Sequence, residues 1–85
     1  MTRKADKLLE RMRRSKSGWK RGDLNKLYSG FGFVISHGSK HDIVKHPDYP
    51  HLRATLPRHK YLAKGYVEFA VKIIGELLNL VEKEE

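Results

Sequence analysis

Eighty-five residues make one small domain with a thin core, and the absence of cysteine excludes disulfides and thiolate metal sites. No apolar run exceeds three residues (Phe33-Val34-Ile35 is one), so neither a signal peptide nor a membrane span is expected, and the chain reads as soluble and cytoplasmic. The net charge of +8 is uneven, with +7 in residues 1–21, +3 in 22–63 and −2 in 64–85, which suits a polyanion partner approached from one side.

Ala5, Leu8, Leu9 and Met12 fall on one stripe of an amphipathic helix over about residues 3–14. Thr2 is its expected cap, and Ser15-Lys16-Ser17-Gly18 ends it. Leu24, Leu27, Tyr28 and Phe31 mark a second, short helix from about Arg21 to Ser29, stopped by Gly30 and Gly32. Three β-rich runs follow: Phe33 to His37, His41 to His46 and Leu52 to Leu56. The Gly38-Ser39 turn joins the first two and Pro47-Asp48-Tyr49-Pro50 the last two, which predicts an antiparallel meander. From about Gly65 to Lys83 the helical period returns, with Tyr66, Ala70, Ile73, Ile74, Leu77 and Val81 on one side. The fold class is therefore α+β: a front helix, then α-β-β-β-α, with helices covering one face of a three-stranded sheet. In the middle strand His41, Ile43 and Lys45 share one side and Asp42, Val44 and His46 the other. The sequence leaves open which side meets the helices.

Candidate chemistry concentrates in Gly38-Ser39-Lys40-His41 and in Leu56-Pro57-Arg58-His59-Lys60. RNA carries its own nucleophile, the 2′-hydroxyl. A protein that cuts it without a metal must remove a proton, orient the phosphate and stabilise the charge that grows there. A histidine has an unperturbed pKa of about 6.5, so it can act as base or acid near neutrality. One such group typically contributes about a hundred- to ten-thousandfold. His41 on the turn is the candidate. Ser39, Lys40, Lys45, Arg58 and His59 are the candidate RNA contacts, of which Lys40, Lys45 and Arg58 would stabilise the phosphoryl oxygens. His59 or His37 is available as the acid at the leaving 5′-oxygen.

Gly38-Ser39-Lys40-His41, the run to His46-Pro47 and Leu56-Pro57-Arg58-His59 resemble the HicA toxins of bacterial and archaeal toxin–antitoxin pairs. So does Arg21-Gly22-Asp23-Leu24-Asn25-Lys26-Leu27 leading to Gly32-Phe33. The likeness covers about residues 19–81, so residues 19–85 read as the HicA-like domain and 1–18 as an added basic helix and linker. The resemblance implies a double-stranded-RNA-binding-domain-like fold, metal-independent cleavage of mRNA by an endoribonuclease, and neutralisation by a HicB antitoxin. It places the family's single essential histidine on His41, and it implies no cofactor.

Each residue also has a plainer role. A histidine at a strand start is usually a surface or turn residue, Ser39 is a turn-former, and Arg58 can anchor the loop before the last helix. His46-Pro47 closes a strand, and His51 belongs on the surface. Trp19 and Tyr28 can stack on bases, but their helix-entry and stripe positions suit core. The five histidines of residues 37–59 lie on alternating strand faces and do not converge as zinc requires. Two other functional classes fit the same composition: a non-catalytic RNA-binding module, and an interaction protein whose charge serves solubility.

Overall fold

The computed structural model describes residues 3–84. Its elements are α1 (Arg3–Arg14), α2 (Arg21–Gly30), β1 (Val34–His37), β2 (Asp42–Lys45), β3 (Arg53–Leu56) and α3 (Lys64–Glu84), in the expected order. Thr2, the expected cap of α1, lies outside the described residues.

The front helix packs onto the domain, against α2 and α3. Its stripe is the reason: Ala5, Leu9 and Met12 are all buried, Met12 completely. Gly18 then turns the chain at φ +82°. Trp19 stitches the linker down, its indole N–H donating to the Ser15 carbonyl at 2.8 Å beneath the Arg11 guanidinium. Asp23 caps α2 by accepting the Lys20 N–H at 3.0 Å. At the other end of α2, Gly32 adopts φ +87°, and a Cβ there would lie 3.2 Å from His46 Nε2. Glycine is needed on both counts.

The sheet is antiparallel in the order β1-β2-β3, with His37 opposite Asp42 and Asp42 opposite Leu56. The strands are shorter than the β-rich runs, for local reasons. Phe33 gives its N–H to the α2 carbonyl of Tyr28, and Leu52 gives its own to Tyr49. His41 stays outside β2 because its carbonyl accepts the Gly38 N–H at 3.0 Å and so closes the turn.

The ambiguity in β2 is resolved by burial. Asp42, Val44 and His46 face inward with Ala54 and Leu56, and the helices cover that side with Leu24, Leu27, Phe31, Val67, Ala70, Ile74 and Leu77. Val67 is fully buried in α3, whereas Tyr66 and Val81 only flank the core. Tyr28 is core and does not offer a stacking face; burial pushes its phenol above the ordinary tyrosine range, so it stays neutral. Trp19 is half-buried against the same core.

Candidate functional site

Strand alternation sets the centre of the site. Because Val44 points into the core, Asp42 two residues earlier does too, and its carboxylate has no solvent exposure. A buried carboxylate must be paired and hydrogen-bonded to be tolerated. Three side chains do this, from α2, from β1 and from the loop before α3. Arg21, the first residue of α2, pairs with one oxygen. The other oxygen meets His37 Nδ1 at 2.9 Å and Arg58 Nε at 3.3 Å. Arg21 Nε is buried in this cluster without a partner.

Arg58 does more than balance charge. Its terminal nitrogens donate to the carbonyls of Gly38 and, at 3.5 Å, of Ser39. The loop before α3 is thereby tied to the β1–β2 turn, so the anchor considered for Arg58 reaches across to the hairpin that carries His41. Three of its five N–H groups are engaged in this way, and its side chain remains 46% exposed, so two donors are left for a ligand.

Above this brace Ser39, Lys40 and His41 stand exposed on the turn, and His59 is exposed beside Arg58. His37 is held at Nδ1 with 82% of its side chain exposed, which leaves Nε2 free for proton transfer. Lys45 is elsewhere. It ends β2 three residues beyond Asp42, about 10 Å along the strand, on the outward face with Ile43 and across from Arg53. Five of the six sequence-chosen residues therefore share one corner, and Lys45 does not. His46 is buried between the rings of Phe33 and Tyr49, and its Nδ1 accepts the Asp48 N–H, a packing role. His51 is on the surface. A groove of about 560 Å³ lies away from this corner along β3 and the start of α3, lined by Ile43, Arg53, Ala54, Tyr66 and Phe69, and among the described residues it brings no ion pair together.

No family model, curated protein or solved structure matches this chain. Among the described residues no three of histidine, aspartate and glutamate are grouped to hold a metal ion, and no helix is long and apolar enough to cross a membrane.

Arg21, His37 and Asp42 as a linked cluster were not singled out by the sequence reading. The one available signal was that Asp42 shares a strand side with Val44, which identifies a buried acid only once the inner side is known.

Gly38 is the tightest point of the turn: a Cβ there would lie 2.5 Å from the His41 carbonyl. Gly38→Ala is expected to cost about 1–3 kcal/mol in urea unfolding and to displace the His41 backbone. Gly75→Ala, in the middle of α3 with nothing within 4 Å of the new methyl, is expected to gain about 0.5–1 kcal/mol. Equal effects of the two substitutions would contradict the packed turn.

Proposed function

We propose that this protein is a metal-independent endoribonuclease that cleaves mRNA, the toxin of a type II toxin–antitoxin pair neutralised by a HicB-like antitoxin. The observation that supports this reading best is the exposed His41 on a turn braced from below by the Asp42, Arg21 and Arg58 cluster. Such a cluster is a poor stability device. Buried ion pairs are often matched by apolar side chains, and here one arginine nitrogen goes unsatisfied. What the cluster does achieve is a fixed position for the turn and for the His37 ring.

The chemistry follows. One imidazole takes the 2′-hydroxyl proton as the 2′-oxygen bonds to phosphorus. The bond from phosphorus to the 5′-oxygen breaks, and a second group returns a proton to that oxygen. His41 and His37 leave neighbouring positions of the hairpin end, and His37 is the better equipped second group because Asp42 orients its ring, whereas His59 has no such partner among the described residues. Lys40 and the free donors of Arg58 are available to the phosphoryl oxygens. The α-β-β-β-α order is compatible with a double-stranded-RNA-binding-domain-like fold, and the reading places the protein in the cytoplasm.

The test is direct. Purified protein incubated with end-labelled mRNA in EDTA is expected to leave 2′,3′-cyclic phosphate and 5′-hydroxyl ends. Cleavage abolished by the chelator, or 5′-phosphate ends, would mean that the mechanism is wrong. A HicB-like open reading frame beside the gene would support the toxin assignment independently.

A further inference from the structure

Tyr61 stands out among the described aromatic residues. Its side chain is the most exposed of the large hydrophobics at 67%, yet its backbone is firmly held. It forms an antiparallel bridge with Lys20, and its two neighbours are bonded to the same segment. The Lys60 carbonyl accepts the Arg21 N–H at 2.9 Å, and the Leu62 N–H donates to the Trp19 carbonyl at 3.3 Å. An exposed ring on a pinned backbone loses little freedom when something stacks on it. Two ammonium groups accompany it, Lys60 Nζ at 5.6 Å and Lys20 Nζ at 5.8 Å from the ring centroid.

The position relates this ring to the site. Lys20 precedes Arg21 and Lys60 lies two residues after Arg58, the two arginines that hold Asp42. Tyr61 is three residues from Arg58, so their Cα atoms are at most about 11 Å apart.

We infer that Tyr61 is a nucleobase-stacking platform flanked by the phosphate-binding lysines Lys20 and Lys60, so that the RNA strand in this site is unpaired at that nucleotide. The inference rests on the RNA-cleaving reading above and adds the form of the substrate. In a duplex both faces of each base are already stacked, so a protein ring can cover only an unpaired base. The balance of contacts agrees. An exposed lysine on an aromatic face is worth a factor of about 2–5 in an equilibrium, whereas a stacked base is worth about 5–150. A base therefore displaces the ammonium groups from the ring and frees them for the phosphates on either side.

The experiment compares the full chain with Tyr61→Ala, Tyr61→Phe and Lys20→Ala, using a mixed-sequence 12-nucleotide RNA containing 2-aminopurine and a duplex of matching length. Tyr61→Ala is expected to weaken single-strand binding by about 5–150-fold and to abolish the 2-aminopurine quenching, with duplex binding unchanged. Tyr61→Phe is expected to keep both properties, and Lys20→Ala to flatten the salt dependence. Single-strand affinity within twofold of the parent in Tyr61→Ala, or an equal loss on duplex, would overturn the inference while leaving the nuclease reading intact. If the parent chain binds neither RNA at physiological salt, the nuclease reading falls and the platform falls with it.

Discussion

His41→Ala is expected to yield a folded protein that still binds RNA but cleaves it at least about a hundredfold more slowly. The imidazole is exposed, and the group that the turn uses is the backbone carbonyl, which alanine retains. Thermal stability should therefore change by no more than about 0.5 kcal/mol. Binding should persist because phosphate contacts come from lysine and arginine, and it should weaken steeply as salt rises. Cleavage and binding measured on the same preparation decide between functional classes. Unchanged cleavage removes His41 from the chemistry. Binding without cleavage in the parent chain itself would instead favour a non-catalytic RNA-binding module. No measurable RNA affinity would favour a protein-interaction role.

Asp42→Asn should have the largest effect on stability. It keeps the shape of the side chain and removes the charge that Arg21, Arg58 and His37 share. Breaking a buried ion pair typically costs about 3–5 kcal/mol. The low end applies here, because the Arg21 and Arg58 side chains are 25% and 46% exposed and recover part of their hydration. A loss of about 3 kcal/mol corresponds to a fall in Tm of roughly 15 °C for a domain of this size. Cleavage should also fall at temperatures where the variant remains folded, since His37 and the turn lose their common anchor. Thermal denaturation followed by assay at low temperature separates the two effects. A Tm within a few degrees of the parent would show that the cluster does not hold the turn. Normal activity in the folded variant would show that it does not organise the site.

The helices and the strand order were legible because their stripes are clear: Ala5-Leu9-Met12, Leu24-Leu27-Tyr28 and Ala70-Ile73-Ile74-Leu77 each repeat with helical spacing. The inner face of β2 was not legible, because Ile43 and Val44 are equally apolar and only tertiary packing separates them. That single ambiguity hid Asp42, and with it the reasons for Arg21 and for the orientation of His37. Arg58 was identified as a phosphate contact, but its main bonds are to Asp42 and to the turn, a long-range relation that local spacing does not encode. Lys45 shares a strand side with His41, but the length of β2 carries it to the far end of the strand, across from Arg53. Tyr61 carried no pattern at all. Its backbone is held by a bridge to Lys20, distant in sequence and visible only in three dimensions.

Trp19 is the sole tryptophan of the chain. Its indole is bonded to Ser15 beneath Arg11, and its carbonyl is bonded to Leu62. Its intrinsic fluorescence therefore reads the seam where the front of the chain meets the segment leading into the last helix, with no added label. Each variant named above contains its own gauge of whether that seam is closed.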